Sequence, residues 1–154
     1  MKRALYIGRF QPFHLGHAYA LSQITEPEII IGIGSSQYSR TDTNPYTFEE
    51  RKLMIERAWN KKDVSILPIP DIHNESQWVE HVVHITGPLD VIYTGNAWVK
   101  KLFEKAGYTV QELMIQHPYS GTKIRQLITQ HSDEWKKMVH TEVIPIINGI
   151  TTSL

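Results

Sequence analysis

Six consecutive residues, Glu28-Ile29-Ile30-Ile31-Gly32-Ile33, carry four isoleucines and show no alternation of polar and apolar positions. A strand with one wet face would alternate. An unbroken apolar run predicts a strand covered on both faces. Such a strand requires helices above and below its sheet, and the rest of the chain supplies them. Apolar, strand-like runs lie at 4–7, 28–33, 64–68, 91–94 and 109–114, and helical patterns at 17–24, 47–59, 77–85, 96–106, 122–129 and 141–147. The alternation predicts an α/β fold: a Rossmann-like, doubly wound parallel sheet with helices on both faces. A chain of 154 residues is expected to form a single domain spanning 1–154. Its tail, 131–154, is expected to be helical and to pack on the domain or on a neighbouring subunit. Ligands of such sheets sit beyond the carboxyl ends of the strands, so the turns after the first, second and fourth runs are the places for chemistry.

The first of these turns is Gly8-Arg9-Phe10-Gln11-Pro12-Phe13-His14-Leu15-Gly16-His17. It breaks a strand and opens a helix, where unpaired N–H groups attract anions. His14 and His17 are three apart, so a first helical turn brings them to one side. Arg9 adds a fixed positive charge, and Gly16 lets the backbone approach a ligand. A cationic, donor-rich turn of this kind suits a polyphosphate. Solvent-exposed histidines in a plain turn are the alternative.

Other features exclude whole classes. The 16 basic and 16 acidic side chains balance, so nothing global points to nucleic acid or to an anionic membrane. There is no cysteine, hence no disulfide, thiolate nucleophile or Cys-based zinc site. No apolar run reaches transmembrane length and no signal-peptide layout is present, so a soluble cytoplasmic protein is expected. Gly32-Ile33-Gly34 lacks the third glycine of a dinucleotide fingerprint, and no helix opens after it, which argues against hydride transfer. Asp71, His73, His81 and His84 do not form an H-E-x-x-H pattern, and no metal site is expected of them. Thr47 and Glu50 fit a capping box, Asn96 fits a helix cap, and Arg51 fits a solvated or ion-paired helix position. Ser120, Gly121 and Thr122 favour a tight, N–H-rich turn that Thr122 can cap. Arg125 follows one turn into the helix with a fork suited to phosphate.

The decamer from Gly8 to His17 resembles the HxGH signature of the nucleotidylyltransferase superfamily. Its fuller form resembles the nicotinamide-mononucleotide (NMN) adenylyltransferases of archaeal type. The stretch Pro118-Tyr119-Ser120-Gly121-Thr122-Lys123-Ile124-Arg125 is similar to the superfamily's ISSTxIR motif, with Gly121 in place of the second serine. Asn44-Pro45-Tyr46-Thr47 with Glu50-Arg51 is similar to the family's NPF/Y-T-x-x-E-R element, although Thr43 stands where archaeal relatives often carry arginine and the nearest arginine is Arg40. The resemblance runs from the first strand to about Ile128.

That resemblance implies transfer of AMP from ATP to NMN, giving NAD and pyrophosphate. It implies catalytic roles for His17, His14 and Arg125, with His17 bonding the α-phosphate. It implies ATP contacts from Gly8, Arg9, His14, Gly16, His17, Asn96, Ser120, Gly121, Thr122 and Arg125. On the NMN side it implies Gly34, Ser35, Arg40, Asn44, Asn74 and Trp78, the last stacking on the nicotinamide ring; a plain loop at Gly34 and a core tryptophan at 78 remain the alternatives. Gln11, the Asn44–Thr47 element and Trp78 favour NMN over other acceptors. Mg²⁺ is expected to enter with ATP, and relatives suggest a homo-oligomer, a hexamer by analogy. The rival readings are another HxGH adenylyltransferase or cytidylyltransferase, acting on pantetheine phosphate or flavin, and a nucleotide sensor without turnover.

Overall fold

The computed structural model describes residues 1–59, 64–113 and 119–153. Five strands, β1 (Arg3–Gly8), β2 (Glu28–Gly34), β3 (Val64–Ile69), β4 (Val91–Thr94) and β5 (Thr109–Glu112), form one sheet in the order β3-β2-β1-β4-β5. Every neighbouring pair is parallel. β1 is therefore central, and the chain reverses its direction of winding between β1 and β4, which places the switch point there. The helices are α1 (Leu15–Ser22), α2 (Phe48–Ala58), α3 (Glu75–Thr86), α4 (Ala97–Lys105), α5 (Gly121–Thr129) and α6 (Ile144–Ser153).

Strand alternation sorts the core into two layers. Ala4, Tyr6, Ile31, Ile33 and Tyr93 face Leu21, Met54, Ile55 and Ile124 on one side. Leu5, Ile7, Ile30 and Ile92 face Trp78, Val82, Leu102 and Phe103 on the other. The doubly wound sheet expected from the isoleucine run is the one observed, with β2 between β1 and β3.

Several boundaries moved for local reasons. The first helix begins at Leu15 rather than His17 because His14 serves as its N-cap. α5 begins at Gly121 because Ser120, not Thr122, supplies the cap: its hydroxyl accepts from Lys123 N–H at 3.0 Å. The last helix was expected over 141–147 and starts later, at Ile144, with Pro145 in its first turn where a missing N–H costs nothing. Within the tail expected to be helical, a separate 3₁₀ helix forms, Asp133–Lys137, capped by Ser132. The expected end of the fifth strand at Met114 lies outside the described residues, as does Pro118.

The tail packs on its own domain. Trp135, Val139, Val143 and Ile147 are buried in the same layer as Leu21 and Ile124, and the Met138 carbonyl accepts the Leu15 N–H at 2.9 Å. Trp135→Ala should therefore cost about 3–5 kcal/mol of unfolding free energy in a urea titration, as for other buried aromatic truncations. A change below about 0.5 kcal/mol, the scale of an exposed side chain, would contradict this placement.

Candidate functional site

The turns after β1, β2 and β4 meet the start of α5 around a cavity of about 420 Å³. Its walls include Gly8, Arg9, His14, Gly16 and His17 from the first turn, Gly34 and Ser35 from the second, Asn96 from the fourth, and Ser120 and Gly121 from α5. Two stretches about 100 residues apart in sequence thus share one cavity on the carboxyl edge, as a switch-point site requires. Thr122 and Arg125 stand on the first turn and a half of α5, just behind that wall.

The histidine pair is held by its own backbone. His14 Nδ1 accepts from His17 N–H at 3.3 Å, and His17 Nδ1 accepts from His14 N–H at 3.1 Å, closing a reciprocal capping box. The rings stack with centroids 3.6 Å apart. A ring whose Nδ1 accepts a main-chain N–H carries its proton on Nε2 when neutral, so each imidazole offers one Nε2–H donor. Burial lowers the pKa of His14 to about 4. Burial, with a smaller contribution from the charge of His14, holds His17 well below the ordinary histidine value. Both are neutral donors near pH 7. Gly16 is required here, since a Cβ at that position would lie 2.8 Å from His14 Cε1.

Free N–H groups are distributed unequally between the two helix starts. On α1, Leu15 N–H goes to Met138 O and His17 N–H to His14, which leaves Gly16 N–H without a partner among the described residues. On α5, Gly121 and Thr122 N–H are both without one among the described residues. The start of α5 therefore offers more free N–H groups than the first turn. Arg125 closes this corner: Nη1 donates to Gln11 O at 2.7 Å and Nη2 to Thr122 Oγ1 at 3.3 Å. A Cβ on residue 121 would meet Arg125 Nη1 at 2.8 Å and Gln11 O at 3.2 Å, which accounts for glycine where the superfamily motif has serine. Arg9 is the exposed cation of the cavity, its guanidinium making no hydrogen bond among the described residues.

Some expected site residues are placed elsewhere. Arg40 forms a two-bond pair with Glu50 at 2.7 and 2.8 Å and does not line the cavity. Glu50 in turn completes the Thr47 capping box of α2, so Arg40 supports a helix start. Asn44 also stands off the cavity wall, in a turn closed by Thr41. Gln11, expected to bear on acceptor choice, is buried and spends its amide on both main-chain groups of Tyr46 at 2.9 and 3.2 Å. Arg51, expected at the surface, is fully buried.

Asn74 and Trp78 border a side cavity that shares Asp71, Trp78 and Trp98 with the main one. Trp78 is only 5% exposed and packs in the second core layer, whereas Trp98 is 44% exposed with its ring 4.8 Å from that of Trp78. Sequence reasoning missed Trp98 and Leu113, weighed Asp71 only among metal ligands, and placed the turn after Thr94 and the stretch holding Tyr119 at the site without assigning Thr94, Gly95 or Tyr119 a contact. Trp98 falls on the α4 turn whose cap, Asn96, accepts from Val99 N–H as expected. Asp71 accepts from Ser35 Oγ at 2.8 Å and is the only carboxylate of the main cavity among the described residues. No group of three or more potential metal ligands occurs among the described residues. No described helix is long and apolar enough to cross a membrane.

Comparison with known proteins agrees with this geometry. Residues 5–127 match the family model described as cytidylyltransferase-like. A nicotinamide-nucleotide adenylyltransferase of Methanococcus aeolicus is 44% identical, the match covering 96% of this chain and 89% of the relative. One from Archaeoglobus fulgidus is 41% identical, with 96% and 91% covered. Among solved structures, a bifunctional NMN adenylyltransferase/ADP-ribose pyrophosphatase of Francisella tularensis, complexed with AMP and a manganese ion, superposes with a TM-score of 0.73. It is 24% identical, over 98% of this chain and 48% of that one.

The neutral histidines have a consequence for stability. Unfolded histidine binds a proton below about pH 6.5, but folded His14 does so only near 4. Across that window the unfolded state binds more protons, so stability rises with pH and is lost on acidification. From His14 alone, the unfolding free energy should be on the order of 2 kcal/mol lower at about pH 5 than at pH 7. Urea titrations of the wild type and of His14→Asn, which keeps a capping oxygen but cannot titrate, should show the slope shrinking in the variant. Equal slopes would mean that His14 is not held neutral.

Proposed function

We infer that this chain, which belongs to the nicotinamide-nucleotide adenylyltransferases within the cytidylyltransferase-like family, transfers the adenylyl group of ATP to NMN, forming NAD and pyrophosphate. The observation that carries the reading is the meeting of the HxGH turn and the start of α5 in one cavity. The acceptor phosphate is already ionised near neutral pH, so the reaction needs no strong base and no nucleophilic side chain. It needs positioning and neutralisation of charge.

The roles follow from which donors are free. His17, neutral and carrying its proton on Nε2, donates to the α-phosphate as the fifth bond forms at phosphorus. His14 holds the ring of His17 in register and offers its own Nε2–H to the phosphate chain. Gly8 and Gly16 keep the floor open. The N–H groups of Gly121 and Thr122, with Ser120 at the cap and Arg125 beside them, take the β- and γ-phosphates and then the leaving pyrophosphate. Arg9, exposed on the opposite wall, closes over the same chain. Asn96 lies on the adenosine side. Gly34 and Ser35 let NMN approach, Asn74 lies beside the pyridine, and the nicotinamide ring enters the corner made by Trp78 and Trp98, where Trp98 presents the more accessible face. Mg²⁺ comes with ATP as part of the substrate, shielding charge on the triphosphate. Assembly into a homo-oligomer belongs to the same reading and is read by light scattering.

Pyrophosphate release from ATP across a panel of acceptor mononucleotides tests the function directly, with NMN expected to be used best and flavin mononucleotide or phosphopantetheine poorly. No release with any acceptor would favour a sensor. His17→Ala should lower kcat by about 100-fold or more with ATP affinity little changed, as for loss of a transition-state donor. Unchanged turnover would exclude that role. Arg9→Ala and Arg125→Ala should each impair kcat/KM for ATP, and the double variant should be less impaired than their product, with a coupling on the order of 0.5–3 kcal/mol. Strict additivity would separate the two arginines.

A further inference from the structure

Among the described residues Arg51 is the largest fully buried side chain, 0% exposed and with no carboxylate bonded to its guanidinium. Its five N–H groups go to five main-chain carbonyls. Nε donates to Thr47 O at 3.2 Å, within its own helix. Nη1 donates to Arg9 O at 3.1 Å and to Gly34 O at 2.9 Å. Nη2 donates to Ser35 O at 3.3 Å and Tyr38 O at 3.4 Å. One planar fork thus binds the turn after β1, the turn after β2 and the start of α2. Those two turns are in close contact: a Cβ on Gly34 would lie 3.6 Å from Gly8 O and 3.9 Å from Arg9 Cγ.

We propose that Arg51 is a positioning residue for adenylyl transfer: by binding carbonyls of both turns at once, it sets the distance between the donor and acceptor halves of the site. The inference rests on the proposed function, in which the first turn carries the ATP phosphates and Gly34–Ser35 borders NMN. Direct attack at phosphorus needs the reacting atoms about 3–3.5 Å apart in line, and a displacement of 1 Å costs on the order of 100-fold. Desolvating a guanidinium is costly, and a well-packed apolar side chain fills such a space at least as stably. What an apolar side chain cannot do is bind carbonyls from two separate turns in a fixed plane. Lysine cannot do it either, because its three donors radiate from one atom. The arginine is itself held in place: Thr47 and Glu50 cap its helix, and Arg40 fixes Glu50. The residue touches neither the cavity nor its contents, so it acts only through the turns.

The test compares Arg51→Lys and Arg51→Gln with the wild-type protein well below their melting midpoints, with rates normalised to the folded fraction. ATP and NMN are titrated singly, and turnover is measured with both at saturation. Each half-site survives alone in the variants, so each single-substrate Kd should move by less than about threefold, while kcat falls roughly tenfold or more. Hydrogen exchange at Tyr38, whose N–H donates to Ser35 O at 3.1 Å, should speed up in the same variants. A kcat within twofold of wild type, or failure of both variants to fold under any condition, would overturn positioning and leave a structural role alone. A large loss of binding with kcat unchanged would overturn it in favour of direct substrate contact. Wild-type protein that releases no pyrophosphate from ATP and NMN would fail the functional reading instead, a result distinct from all of these.

Discussion

A buried main-chain carbonyl must find a donor or lose the free energy of its hydration. At the carboxyl edge of this sheet the turns leave β-pairing while still packed under helices, so their carbonyls turn into the protein. Long side chains from distant segments answer them. Arg51 takes the carbonyls of Arg9, Gly34, Ser35 and Tyr38. Arg125 takes that of Gln11, and the Gln11 amide takes both main-chain groups of Tyr46. The shape of the cavity follows from this satisfaction of the backbone. Part of its wall is loop, but loop whose polar atoms are fixed from behind, which is what preorganised electrostatics requires.

The same edge shows why so many of its groups are neutral or spent. The proposed role, holding a triphosphate, calls for positive potential without a tangle of competing ions. The two histidines, each capping the other's backbone, stay uncharged and keep one directed proton apiece. The fixed charge comes from guanidiniums set at different depths: Arg51 buried, Arg125 half-covered, Arg9 open to solvent. Burial first, and the charge of Arg9 second, lower the pKa of both Arg51 and Arg125, so the guanidiniums repel one another. A polyanion placed among these guanidiniums would relieve that repulsion.

Local signals were enough for most of the fold. The unbroken apolar character of Glu28–Gly34 fixed its place between two strands, and Thr47 with Glu50 marked the start of α2. The two stretches that meet at the cavity, Gly8–His17 and the start of α5, were legible because strand, glycine, histidine and arginine fall at chemically meaningful spacings. What stayed hidden depends on tertiary partners. An arginine four residues into an amphipathic helix reads as a solvated residue, and nothing local reveals that four of its acceptors lie in other segments. Arg40 looked like an anion ligand because sequence does not show that Glu50 already holds it. Trp78 and Trp98 are both tryptophans on helices, and only packing decides which is covered. Gly121 looked like a weakened motif until the path of Arg125 to Gln11 gave its reason.

The contact between Leu15 N–H and Met138 O joins the first helix to a segment far along the chain, and Arg125 reaches Gln11 across a separation of 114 residues. A cavity sewn together at such sequence distances has no half-built form. Fraying of the tail exposes the start of α1, and loosening of α5 undoes the first turn, so local opening and loss of the cavity are one event. Protease resistance and slow amide exchange should then travel together over the whole carboxyl edge. A nucleotide bound at that edge stabilises the entire chain by mass action rather than a single loop. In a cell, the supply of nucleotide would thereby bear on the lifetime of the protein that uses it.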